Sequence, residues 1–299
     1  MATRQSEHEV IHQIIQWASA HDPIRAVLLT STRAIPEGTV DALSDYDVIL
    51  VVRDIHPYVE DHAWLNDFGE LLITYWDPIH PDPYYGVEIC ANVIQYGDGL
   101  KIDFTLWPVG LIQQIVAAAE LPVELDAGYR VLLDKDHLTD LMRPPTGRGY
   151  VPKPPTARSY QQLINDFLSD APYVAKCLWR DELLPAKWCL DYDMKHIYLR
   201  PMLEWRVEID HDWKFPVGSL GKGLKRHLPA DIWTCLERSY AGAHIADNWR
   251  ALRRTMELFR RVSVEVGAYF GYAYPEELHR KVSEYIEQIR QLGNLKGGN

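Results

Sequence analysis

Two aspartates one residue apart, Asp45 and Asp47, open the run 46–52, which is almost wholly apolar and β-branched. A third, Asp103, lies in Lys101-Ile102-Asp103-Phe104-Thr105, within a later run of strand character. Side chains alternate across a strand with period two, so Asp45 and Asp47 point one way and Asp103 shares its side with Thr105 and Trp107. Three carboxylates can therefore meet at one sheet end. Like charges gathered in a half-buried place repel and lose hydration, so such a cluster persists where cations bind it or a proton is shared. Mg²⁺ is the natural partner of hard oxygens of this kind. Two such ions about 3.5–4 Å apart clamp the attacking and leaving oxygens of an in-line phosphoryl displacement, the chemistry of nucleotidyl transfer. Ahead of the aspartates, Ser31-Thr32-Arg33 forms a hydroxyl-bearing loop after the first β-rich segment. Taken singly these features are ordinary: a polar turn into a strand, an edge carboxylate facing water, a loop satisfying its own backbone. Their order along the chain is what sets them apart.

The elements that must position these residues are legible from periodicity. Apolar Val10, Ile11, Ile14, Ile15 and Trp17 predict an amphipathic helix over about 6–20, with Ser6 as its N-cap. Residues 25–30 read as a short strand, Pro36-Glu37-Gly38 as a turn, and 46–52 as a buried central strand. Further strands are predicted over 71–76, 87–95 and 100–107, the last two joined by Tyr96-Gly97-Asp98-Gly99, a hairpin signal. A helical segment follows from about Gly110. The stretch 143–155 is too rich in Pro and Gly for regular structure and marks a domain boundary. Beyond it, Tyr160, Leu163, Ile164, Phe167, Ala171, Val174 and Leu178 step by three or four, as do Trp249, Leu252, Met256, Phe259, Val262, Val266 and Phe270. Pro172 and Pro201 are expected to kink or divide their helices, and Lys296 to Asn299 to fray. The predicted class is α+β: a mixed-sheet domain over 1–145, then a helical bundle over 156–299.

Composition agrees with such a chain and excludes others. With 299 residues, 47 % hydrophobic and 24 % charged, the sequence has the makings of two globular domains and none of a disordered or fibrous protein. Its longest apolar runs, 48–52 and 115–119, fall far short of the ~20 residues that span a bilayer. The first residues lack the apolar core of a secretory signal, so a cytoplasmic location is expected. Thirty-one basic against 42 acidic residues leave a net charge of −11. That balance disfavours a nucleic-acid partner and suits a cationic small molecule, although it is also what solubility asks for. Cys90, Cys177, Cys189 and Cys235 form no CxxC pair and no Cys/His zinc pattern, and the twelve histidines show no HExxH. Reduced thiols are the expectation.

At this level of detail the chain resembles the polymerase β-type nucleotidyltransferases, and more closely the aminoglycoside 6-adenylyltransferase (streptomycin adenylyltransferase) family. The resemblance runs over nearly the whole chain. Besides Asp45-Tyr46-Asp47 it takes in Trp64-Leu65-Asn66-Asp67-Phe68-Gly69-Glu70, Lys101 to Leu106, Leu132-Leu133-Asp134-Lys135-Asp136 and Lys153 to Arg158. In the helical half it continues with Tyr173 to Lys176, Arg180-Asp181-Glu182-Leu183-Leu184 and Ser219-Leu220-Gly221-Lys222. The resemblance implies transfer of AMP from ATP to a hydroxyl of an aminoglycoside such as streptomycin, with Mg²⁺ required, pyrophosphate released and antibiotic resistance as the outcome. It implies that Asp45 and Asp47 bind metal and that Asp103 either completes the metal site or takes the hydroxyl proton. Ser31, Thr32 and Arg33 would hold the triphosphate, with Lys176 and Lys222 adding charge and the backbone amides around Gly221 and Gly223 approaching phosphate. Glu182 and Glu70 would serve the acceptor, Glu182 being also a second candidate base. Trp64 and Phe68, four apart, read as a packing face. One departure is plain: the family's first loop reads Gly-Ser-Arg, whereas this chain has Ser31, a side chain where glycine allows close approach or positive φ. That substitution leaves open a shifted loop, weaker ATP binding, or a non-catalytic nucleotide- or drug-binding homologue. A different acceptor, such as a lincosamide, is the other alternative.

Overall fold

The computed structural model describes residues 6–35 and 40–294, so the predicted turn at Pro36-Glu37-Gly38 and the fraying at Lys296 to Asn299 lie outside the described residues. The chain divides into two compact units, Met1–Gly149 and Tyr150–Asn299.

In the first unit, helix α1 (Glu7–Ala20) begins at a capping box in which Ser6 accepts from the Glu9 amide while the Glu9 carboxylate accepts from the Ser6 amide. The strands are β1 (Ile24–Thr30), β2 (Tyr46–Val52), β3 (Leu71–Trp76), β4 (His80–Pro81), β5 (Glu88–Tyr96), β6 (Lys101–Pro108) and β7 (Tyr129–Asp134). They form one sheet in the order β3-β5-β6-β2-β1-β7, with β4 paired to β5. Among the described residues only the β2–β6 pairing is parallel.

Both faces of the sheet are covered, which is why β1 and β2 read as unbroken apolar runs rather than alternating ones. On one face Val27, Leu29, Val48, Leu50 and Phe104 pack with Val10, Ile14 and Trp17 of α1 and with Leu65 and Phe68 of the 3₁₀ helix Ala63–Phe68. Trp64 and Phe68 belong to this aromatic cluster, their rings 5.2 and 5.1 Å from that of Phe104. On the other face Ala26, Leu28, Ile49, Val51 and Trp107 pack with α3 (Val109–Ala117) and α4 (Val123–Ala127). A short helix α2 (His56–Glu60) follows β2.

Strands β4 and β7 were not expected from the sequence. Strand β7 is an edge strand pairing only with β1, and four of its six residues are half-buried, so it lacks an apolar alternation to betray it. The tract that follows it turns out to be a bracket. Lys135 Nζ donates to the Ala18, Ser19 and His21 carbonyls at 2.7, 3.3 and 2.9 Å, satisfying the C-terminal end of α1. Asp134 accepts from the Leu138 and Thr139 amides and the Thr139 hydroxyl, and Asp136 pairs with Arg25.

The second unit is all helical: α5 (Ala157–Trp179), α6 (Leu183–Lys187), a π-helical run Trp188–Leu199, α7 (Arg200–Asp210), α8 (Leu224–His227), α9 (Ala230–Arg238), α10 (Ile245–Phe270) and α11 (Glu276–Asn294). Of the two outcomes expected at Pro172, a kink or a division, α5 shows no division and runs through the proline. An interior proline forfeits a hydrogen bond at ~3 kcal/mol. Here Ala171, Val174 and Ala175 beside it are fully buried in the bundle core, and that packing outweighs the loss. Pro201 lies in the first turn of α7, where the π-helical run gives way to α-helix. The core centres on Phe167 and Phe259, stacked 3.6 Å apart. Tyr160 reaches across to donate to the Ser263 carbonyl at 2.7 Å, and a Cβ at Gly267 would meet its hydroxyl at 2.6 Å, so that position admits only glycine. Cys90, Cys177 and Cys189 are buried and Cys235 half-buried, all as free thiols. No described helix is long and apolar enough to cross a membrane.

Because Lys135 closes α1 through charge-assisted bonds, Lys135→Met is expected to destabilise the chain by about 1–3 kcal/mol in urea unfolding, with nucleotide affinity unchanged.

Candidate active site

Parallel pairing of β2 with β6 sets Asp47 directly opposite Asp103, and antiparallel pairing of β1 with β2 sets Thr30 opposite Asp47. Neighbouring strands lie about 4.8 Å apart, and paired residues point to the same face, so the two carboxylates are neighbours at the sheet end where β2 and β6 begin. The site is thus built by register. Asp45 immediately precedes β2 and joins them through Lys101, whose Nζ lies 2.5 Å from Asp45 Oδ2 and 2.9 Å from Asp103 Oδ2.

Electrostatics reflects the crowding. Burial, the Asp103 charge and the Asp45 charge push the Asp47 carboxyl above its ordinary pKa, against the Ser31 hydroxyl and the Lys101 charge. Burial and the Asp45 charge likewise push Asp103 up, against its bond to Lys101. For Lys101, burial disfavours the charge, but the bonds to both aspartates outweigh it and raise the pKa. Asp103 Oδ1 is buried and has no hydrogen-bond partner among the described residues. An orphaned carboxylate oxygen beside a second carboxylate, both lacking sufficient positive charge, is the donor set a hard divalent cation fits. Asp47 and Asp103 are the residues placed to hold one; Asp45 is engaged by Lys101, and the three carboxylates do not bring one oxygen each within 4.8 Å of one another.

The loop Ser31–Arg33 is a single 3₁₀ turn leaving β1. Ser31 has φ 59°, the left-handed region that glycine enters freely and serine enters at ~1–2 kcal/mol. Its hydroxyl lies where it favours the charged form of the Asp47 carboxyl. Thr32 is half-buried. Arg33 is turned into the protein: Nε donates to the Asp45 carbonyl at 2.9 Å, Nη2 to the Ser44 carbonyl at 2.8 Å, and Nη1 to Glu7 Oε2 at 2.7 Å. Its guanidinium also sits 3.9 Å from the centre of the Tyr46 ring, and its side chain is 6 % exposed. In this arrangement Arg33 braces the loop against α1 and β2 instead of facing a triphosphate.

The remaining sequence candidates stand apart from this cluster or in the other unit. Glu70 is exposed just before β3, and two strand spacings, about 10 Å, separate β3 from β6. Glu182 is exposed at the start of α6, and Lys176 is exposed in the last turn of α5, 5.8 Å from the Tyr285 ring centre. Lys222 is exposed as well, but the backbone around it is closed: the Gly221, Lys222 and Gly223 amides donate to the carbonyls of Gly218, Ser219 and Val217. Those amides are not offered to phosphate, which corrects the expectation for this loop. The helical unit also gathers Asp170, Cys189 and Asp193, with donor atoms within 4.8 Å of one another, although burial and the Asp170 charge hold the Cys189 thiol firmly protonated.

Lys101 is the participant that residue-type reasoning passed over. Its signal was available in the spacing, because a residue two before Asp103 on a strand shares its face.

Residues 4–289 match the streptomycin adenylyltransferase family. The aminoglycoside 6-adenylyltransferase of Campylobacter jejuni is 30 % identical over 297 residues, covering 98 % of this chain and 99 % of its own. The protein of the same name from Bacillus subtilis strain 168 is 29 % identical over 285 residues, covering 95 % and 98 %. A crystal structure of an aminoglycoside 6-adenyltransferase from Bacillus subtilis aligns with a TM-score of 0.43 and 26 % identity over 96 % of this chain and 99 % of that one. With the match running nearly end to end, the chain belongs to the streptomycin adenylyltransferase family and is an enzyme of the nucleotidyltransferase class.

Proposed function

We propose that this enzyme transfers AMP from ATP to a hydroxyl of an aminoglycoside, streptomycin being the preferred candidate, with Mg²⁺ bound at the carboxylates and pyrophosphate released. The observation that carries the reading is the in-register pair Asp47 and Asp103, with the Asp103 Oδ1 atom buried and unpartnered. Bound there, the cation would supply positive charge to the oxygens of the reacting phosphate. The chain's own part is to hold those carboxylates in place. Lys101 fixes Asp103 by its second oxygen, Arg33 holds the loop from which Ser31 projects, and the Ser31 hydroxyl favours the charged form of Asp47. We assign the mixed-sheet unit to this chemistry and the helical unit, with Lys176, Lys222 and Glu182, to binding nucleotide and acceptor. A chain of net charge −11 suits a polycationic acceptor, whose approach a negative field favours.

As the acceptor oxygen bonds to the α-phosphorus, the bond to pyrophosphate breaks and the hydroxyl proton must leave. Asp103 does not take it while its Oδ1 is assigned to the cation and its Oδ2 accepts from Lys101, so the proton passes to water or to the departing pyrophosphate. Absence of a family glycine at Ser31 does not by itself argue for a binding protein without activity: the serine adopts the glycine-like backbone conformation and adds a hydroxyl that favours the charged form of Asp47.

The test is pyrophosphate release from ATP and Mg²⁺ across a panel of aminoglycosides and a lincosamide. Release that depends on streptomycin, and falls by at least 10³-fold in Asp47→Asn or with excess EDTA, is expected. Release with the lincosamide alone would move the acceptor class, and no release with ATP still bound would make the chain a binding homologue. Glu182→Gln is expected to raise KM for the acceptor with kcat within a few-fold, while Asp103→Asn removes turnover. At the loop, Ser31→Gly should be about 1 kcal/mol more stable than Ser31→Ala, since alanine keeps the positive-φ strain that glycine releases. Equal unfolding midpoints for those two variants would show that the loop does not hold that conformation in solution.

A further inference from the structure

We infer that Lys101 is a built-in substitute for one of the two divalent cations that three converging carboxylates would otherwise attract, so that this site carries a single metal ion. The inference rests on the nucleotidyl-transfer reading above. It begins with how the oxygens are shared. A carboxylate that bridges two cations gives one oxygen to each, and Asp103 is arranged in this way with an ammonium as one partner: Oδ2 lies 2.9 Å from Lys101 Nζ, while Oδ1 is buried with no partner. Asp45 closes the ammonium side, its Oδ2 at 2.5 Å from the same nitrogen. The other side is made by Asp47, in register with Asp103. The cluster is therefore divided into a filled half, Asp45–Lys101–Asp103 Oδ2, and an open half, Asp103 Oδ1 and Asp47.

Charge leads to the same division. Three carboxylates and one ammonium leave two negative charges on the protein's side of the site, and a second divalent ion, although the nucleotide's phosphates would offset its charge, would face the ammonium across a short gap. Nor is the lysine free to leave cheaply. It is half-buried at 27 % exposure, and its side chain shares a face of β6 with Asp103. Gln95, opposite it on β5, turns its amide to the Leu100 carbonyl at 2.9 Å and offers no competing charge. A lysine drawn between two carboxylates in a half-buried site gives up hydration that only those partners replace. Lys101 is on this account a positioning residue: it occupies Oδ2 and thereby leaves Oδ1 as the oxygen open to a cation.

The test counts Mn²⁺ retained per chain after equilibrium dialysis of the full-length protein against Mn²⁺ and a non-transferable α,β-methylene ATP analogue. One ion is expected for the wild type and for Lys101→Arg, and two for Lys101→Met. Lys101→Gln, which keeps a hydrogen-bond donor while losing the charge, serves as a second neutral variant should the methionine leave the carboxylates too poorly compensated to fold, and it too is expected to hold two. Two ions in the wild type would overturn the inference by showing that the ammonium swings aside. One ion in a folded neutral variant would overturn it by showing that the ammonium excludes nothing. Retention of none in any of the proteins, with the analogue bound, would instead remove the metal from the proposed function and this inference with it.

Discussion

Two strands separated by some fifty residues of chain pair in parallel, and the register of that pairing determines whether Asp47 meets Asp103. A slip of one residue would send every side chain of β2 to the opposite face. What prevents it is burial on both sides: Val48 and Leu50 belong to the core under α1, Ile49 and Val51 to the core under α3, and neither set tolerates the other's environment. The carboxylate site is thus positioned by apolar packing. Electrostatics works against it, since burial and mutual repulsion push both Asp47 and Asp103 toward their protonated forms.

That opposition explains the company the aspartates keep. Lys101 offsets part of the negative charge, and the Ser31 hydroxyl offsets a little more. The serine reaches Asp47 from a backbone conformation that strains any residue but glycine, and the strain is held by a neighbour: Arg33, fastened to two carbonyls, to Glu7 and to the face of Tyr46, leaves the turn no room to relax. Strained backbone over-determined by its surroundings is characteristic of functional loops. An arginine that reads from sequence as a phosphate ligand is, in the folded chain, the clamp of the loop.

Apolar runs buried on both faces and a DG hairpin signal are strong local patterns, and β1, β2, β5, β6 and α1 could be read from them to within a few residues. The period of a strand put Asp103 on a face with Thr105 and Trp107, but that this face is the one Asp47 shares came only from the pairing of β2 with β6. Edge strand β7 could not be seen, because one neighbour and a half-exposed surface impose little on its sequence. Proline in α5 misled for a related reason: a local penalty is visible in the sequence, whereas the tertiary packing of Ala171, Val174 and Ala175 that outweighs it is not. Residue roles were harder still. Whether a lysine or arginine faces a ligand, a carboxylate or a carbonyl depends on contacts made far along the chain, and Lys101, Arg33 and Lys135 were each resolved only by their partners.

The central claim is that an in-register carboxylate pair holds a cation at a defined place. Anomalous diffraction from crystals of the enzyme grown with Mn²⁺ and a non-transferable ATP analogue addresses it directly. A manganese peak is expected within bonding distance, about 2.0–2.3 Å, of both Asp47 and Asp103 Oδ1. A peak bound only by phosphate oxygens, or lying elsewhere in the chain, would contradict it.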